Sequence, residues 1–92
     1  MIIRILGEGQ YTLGDTEVDE LNEFDDQLLH ADALGDDAAF ARVLRQLVNA
    51  VRRRGTPVAA DALVSSDLVL PSADTELAEV RAMLRDDGLI PG

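Results

Sequence analysis

Two apolar stripes of helical period, one on each side of Gly35, constrain this chain more than any other feature. Taken at 100° per residue, Val18, Leu21, Phe24, Leu28 and Leu29 fall within an arc of about 140°. Phe40, Val43, Leu44, Leu47, Val48 and Val51 fill a second arc of about the same width. The flanking residues agree with helices there. Asp15 or Thr16 can cap the first, with Glu17, Asp19 and Glu20 in the first turn, where the macrodipole favours acids. Gly35 ends it, Asp36 or Asp37 caps the second, and Gly55 followed by Pro57 stops that one. Helices joined so closely pack as an antiparallel hairpin. Asp25 and Asp32 also project into the first arc, so the stripe is flawed there or those carboxylates find partners.

The rest of the chain must supply a surface for these stripes. Ile2-Ile3-Arg4-Ile5-Leu6 is β-branched and apolar, Gly7-Glu8-Gly9 carries turn chemistry, and Gln10-Tyr11-Thr12-Leu13 alternates, which together predict a β-hairpin. Residues 56–66 read as loop, and Asp67-Leu68-Val69-Leu70 as a short third strand closed by Pro71. Leu77, Val80, Met83 and Leu84 recur at helical spacing through residues 75–85, before Gly88 and the tail Leu89-Ile90-Pro91-Gly92. The expectation is an α+β fold: an N-terminal β-hairpin, an antiparallel helix hairpin, a short third strand and a C-terminal helix around one small sheet. Residues 1–92 make a single domain, because a chain this short buries only about 60–65% of its unfolded surface and has no room for two cores. With Tyr11, Phe24 and Phe40 the only aromatics, aliphatic side chains must fill the interior. Ile3, Ile5, Leu21, Phe24, Leu28, Phe40, Leu44, Leu47, Val51 and Leu84 are the expected core.

Charge excludes one class of function. Eighteen acids against eight arginines and no lysine give a net charge of −10, opposed to the basic footprint that phosphates require, so no nucleic-acid partner is expected. The absence of cysteine removes disulfides, thiolate metal sites and a cysteine nucleophile, and is compatible with a cytoplasmic location. No apolar run approaches the ~20 residues of a membrane span, and the first residues lack the pattern of a signal peptide.

The candidate chemical sites are better explained locally. Gly7-x-Gly9 lacks a third glycine and a following helix, so it fits a hairpin turn rather than a phosphate cradle. His30 is the lone histidine and fits a surface or boundary position. Ser65 and Ser66 have no nucleophile-elbow context. The doublets Asp25-Asp26, Asp36-Asp37 and Asp86-Asp87 lack the calcium-loop pattern and suit capping and solubility. No catalytic residue, metal or cofactor is expected, and the chain does not read as an enzyme.

One feature of the charge is not evenly spread. Residues 15–37 carry ten acids and no base, whereas residues 38–60 carry five arginines and no acid. Antiparallel packing would set Arg52–Arg54 beside Asp15–Glu20, giving internal pairs worth a few tenths of a kcal/mol each, on the order of exposed ion pairs. Alternatively, the arginine face docks an acidic partner and the acidic helix a basic one. Arg42, Arg45, Arg52 and Arg53 lie opposite the apolar stripe of the second helix and are the candidate docking residues.

Three blocks carry a resemblance over essentially the whole length: Ile3-Arg4-Ile5-Leu6-Gly7-Glu8-Gly9-Gln10-Tyr11, Ser66-Asp67-Leu68-Val69-Leu70-Pro71 and Asp86-Asp87-Gly88-Leu89-Ile90-Pro91-Gly92. Leu21, Asp25, Phe40, Leu47 and Val51 fit between them. The chain resembles the PspA-associated (PspAA) family of small bacterial and archaeal proteins. The resemblance implies an accessory or regulatory partner of PspA, the membrane-remodelling coiled-coil protein of the phage-shock (envelope-stress) response, and it transfers no catalytic residue. It also implies action in the cytoplasm, at the inner face of the cell membrane through that partner. A competing reading is a peripheral membrane-surface sensor using the amphipathic, arginine-rich second helix. Besides the arginines, Leu68, Val69 and Leu70 are alternative contact residues. Leu89 and Ile90, apolar yet close to the end of the sequence, are expected to dock on the sheet or to join an oligomer or PspA contact.

Overall fold

The computed structural model describes residues 1–62, 64–72 and 79–80. Its elements are β1 (Ile2–Ile5), β2 (Gly9–Thr12), α1 (Asp15–Leu34), α2 (Asp37–Arg54), β3 (Thr56–Pro57) and β4 (Leu68–Leu70). The fold is therefore α+β, and the elements with described bounds are two helices and one mixed sheet of order β3-β2-β1-β4. β1 runs antiparallel to β2 and parallel to β4, and β2 runs antiparallel to β3.

Strand alternation positions the core. Ile3 and Ile5 are fully buried against the helices, while Arg4 between them is exposed. The hairpin closes where Glu8 N–H donates to Ile5 O at 3.0 Å, with Gly7 at φ +82°, the left-handed conformation that this turn needs and glycine adopts at little cost. At the open end of the hairpin, Met1 and Leu13 exchange two bonds of 2.8 Å.

Neither Asp15 nor Thr16 caps α1. The cap is Gly14, in extended backbone without a side-chain bond, and Asp15 and Glu17 act instead as first-turn acids on the helix dipole. At the other end Gly35 turns left-handed at φ +66°, and Asp36 N–H returns to Ala31 O at 3.0 Å. Asp36 then caps α2, its Oδ1 accepting from Ala39 N–H at 3.1 Å, so adjacent residues close one helix and open the next. Gly55 ends α2 for a different reason. Its φ is an ordinary −80°, but a Cβ there would lie 2.7 Å from both Tyr11 Cβ and Val51 O, so close approach to β2 requires glycine.

The core joins Ile3, Ile5, Leu13 and Leu70 of the sheet region to Leu21 and Leu28 of α1 and to the inner face of α2, where Phe40, Leu44, Leu47, Val48 and Val51 are buried. Phe24, expected inside, packs on the margin of this cluster and is half-buried. Asp25 is only 2% exposed; its carboxylate has a polar interaction, and no buried side-chain oxygen or nitrogen among the described residues lacks one. The apparent flaw in the first stripe is thus a satisfied buried acid.

The stretch 56–66 is not wholly loop, because Thr56–Pro57 pairs with β2 as an edge strand. Proline is tolerated there, since an edge strand need not donate on its outer side. β3 and β4 lie on opposite edges, so the chain between them crosses the sheet on the face away from the helices. Gln10 anchors this crossing. Its Nε2 donates to Val64 O at 3.0 Å and to Ser66 Oγ at 2.8 Å, which leaves the residue 9% exposed. Asp67 completes the crossing by bonding Ile2 twice at 2.8 Å, its N–H to the carbonyl and its Oδ2 to the amide. Of the expected C-terminal helix, Glu79 and Val80 are described; both are helical, and Val80 is buried. Leu84 and the tail with Leu89 and Ile90 lie outside the described residues.

Candidate functional site

The outward face of α2 is the most distinctive surface. Its inner face is used up in the core, so the residues between must point to solvent. Arg42, Arg45, Asn49 and Arg52 recur at i, i+3, i+7 and i+10, within an arc of about 80°, and all four are exposed. Arg53 flanks this row, within about 20° of Arg42 around the helix. The row rises roughly 15 Å along the axis.

Its arginines differ in what they already hold. Arg54, past the row, pairs with Glu20 of α1 at 3.1 Å, the cross-pairing that antiparallel helices allow. Arg52 does not join α1. It reaches the hairpin turn, where its Nη2 lies 2.7 Å and its Nε 2.8 Å from Glu8 Oε1, while its Nη1 donates to Asn49 Oδ1 at 2.6 Å. Arg53 Nε makes a long 3.5 Å bond to Asn49 O within the helix. Arg42 and Arg45 have neither an ion pair nor a hydrogen bond among the described residues. Among the described residues, the pairing with α1 expected for Arg52–Arg54 therefore accounts for Arg54 alone, and the two arginines nearer the middle of the helix have no partner.

Two depressions flank the row. One, of ≈ 390 Å³, lies where α1 ends and α2 begins, lined by Asp26, His30, Leu34, Asp36, Arg42 and Val43 among others. Leu34 there is 68% exposed. The other, of ≈ 490 Å³, lies between the hairpin turn and α2 and is lined by Leu6, Glu8, Arg45, Asn49, Arg52 and Ser72 together with Gly7. His30 is exposed, and among the described residues no three His, Asp or Glu side chains are grouped to hold a metal.

The alternative contact trio divides. Leu70 pairs with Ile5, is fully buried in the hydrophobic core cluster and is therefore not available for docking. Leu68 is half-buried, whereas Val69 projects from the outer face of the sheet next to Arg4 and is 40% exposed. Glu8 and Asn49, which the sequence does not single out, both bind Arg52 on this surface. Glu8 reads in sequence as part of a glycine turn, and only the tertiary approach of that turn to α2 gives it a role.

A family model described as PspA-associated protein matches residues 1–92. The chain belongs to the PspA-associated family. Hairpin, helices and arginine row thus all lie within the family's extent. No curated protein and no solved structure matches the chain significantly. No helix among the described residues is long and apolar enough to cross a membrane, and the apolar face of α2 is buried, leaving that helix no free stripe for a bilayer.

Proposed function

We propose that this PspA-associated protein is a non-enzymatic accessory module that binds PspA and regulates its action in the envelope-stress response. It works in the cytoplasm and reaches the inner face of the membrane through that partner. The observation that carries the reading is membership, over residues 1–92, of a family described as PspA-associated protein. The open guanidiniums of Arg42 and Arg45 support α2 as the contact surface, because arginine is enriched at interfaces and suited to carboxylate recognition. Burial of the apolar face of α2 in the core speaks against the membrane-sensor reading. Affinity purification of the tagged full chain from the native organism tests the proposal. PspA should co-purify in a salt-sensitive manner, and the chain alone should not float with anionic liposomes. Absence of PspA from the eluate, with liposome binding by the chain alone, would reverse the assignment.

A further inference from the structure

We propose that the cleft between the hairpin turn and α2 is a carboxylate-binding site for an acidic side chain of a partner protein, and that Glu8 is its built-in competitor; for the partner's identity this rests on the PspA reading above. The cleft measures ≈ 490 Å³, and among the described residues its charged lining is two guanidiniums, Arg45 and Arg52, against the carboxylate of Glu8. Glu8 displays the chemistry that the site takes. Both of its oxygens meet Arg52 Nε, at 2.8 and 3.1 Å, and Oε1 also meets Nη2 at 2.7 Å. The remaining Nη1 of Arg52 is fixed by Asn49 Oδ1 at 2.6 Å, so the guanidinium is already oriented as a carboxylate clamp.

Arg45 is the open half of the site. It has no ion pair or hydrogen bond among the described residues, so one positive charge of the cleft lacks a described counter-charge, in a chain of net charge −10. A carboxylate on a polypeptide fits better than a free inorganic anion. Leu6 lines the same cleft and is 44% exposed, giving the side-chain methylenes and neighbouring residues of a peptide an apolar contact that a small ion cannot use. The Glu8–Arg52 pair is itself about one-third exposed, 33% and 37% by side chain, and pairs so exposed are weak and exchange readily. An incoming carboxylate therefore binds Arg45, shares Arg52 and is opposed by Glu8.

The full-length protein is tested as the parent and as Glu8→Gln, Arg45→Gln and Arg4→Gln, the last a control on the outer sheet face, with the thermal midpoint of each recorded. One probe is a tetraglutamate peptide, followed through the arginine Nε–H NMR signals at low salt; the other is PspA from the same genome. The peptide should move the Arg45 and Arg52 signals and leave Arg4 unmoved. Glu8→Gln should tighten binding of both probes about threefold and Arg45→Gln weaken it about fivefold, the scale of one exposed charge contact. Arg4→Gln should change it by less than about twofold. If Glu8→Gln leaves binding unchanged or weaker, or Arg4→Gln matches Arg45→Gln, the carboxylate site is wrong even where PspA binds the parent. If the peptide behaves as expected and PspA does not bind the parent, the site stands and the PspA reading falls.

Discussion

Leu47 lies on the inner face of α2 and is completely buried, in a core built almost entirely from aliphatic side chains. Leu47→Ala leaves a cavity that so small a domain has few ways to close, and should cost ~2–5 kcal/mol. That is a large part of the stability expected of a single domain, so chemical denaturation should show an early or lost transition. Gly55→Ala should also destabilise, by ~1–3 kcal/mol, because the added methyl meets the Tyr11 Cβ and the Val51 carbonyl, both at 2.7 Å. A melt of Gly55→Ala at the parent midpoint would show that β2 can give way at this point. The two residues mark what sequence makes legible at this scale. Leu47 is read from periodicity alone, whereas Gly55 is read correctly as a stop but for the wrong cause, since tertiary contact is invisible in a local pattern. Asp25 is the intermediate case: its place on the apolar arc is plain from spacing, and only the fold shows that it is a satisfied buried acid.

At the scale of elements, β1, β2, α1, α2 and β4 are legible because each carries its own period and its own punctuation. β3 is not, because two residues carry no period and its pairing with β2 joins residues separated in sequence by both helices. The crossing between β3 and β4 is hidden for a related reason. Gln10 alternates as an outward strand residue should, and nothing local says that residues 64 and 66 will cover it. Gln10→Ala removes two hydrogen bonds worth about 1 kcal/mol each and uncovers the crossing. Hydrogen exchange should then quicken at Asp67, whose amide bonds Ile2 O at 2.8 Å, while α2 amides keep their protection. Equal acceleration throughout the chain would mean that the crossing is not a separately opening unit.

The whole molecule combines a strong negative charge with an exposed row of arginines on α2. A partner approaching from a distance meets the field of −10, and only at short range the local field of α2. Such an arrangement favours a partner whose acidic groups are presented on a surface able to reach the row closely, and it makes association sensitive to salt. The internal pairs do not remove the row, because Arg52 and Arg54 take Glu8 and Glu20 while Arg42 and Arg45 have no partner among the described residues.

The most direct measurement is the Kd of the full-length chain for PspA from the same genome, beside that of the double reversal Arg42→Glu with Arg45→Glu. Both side chains are exposed, so the thermal midpoint should barely move. Binding should weaken about tenfold or more, ~1.4 kcal/mol or above, and the parent's affinity should fall as salt is added. An unchanged Kd in the double reversal, with the parent's affinity indifferent to salt, would contradict docking through α2 and direct attention to the outer sheet face around Val69.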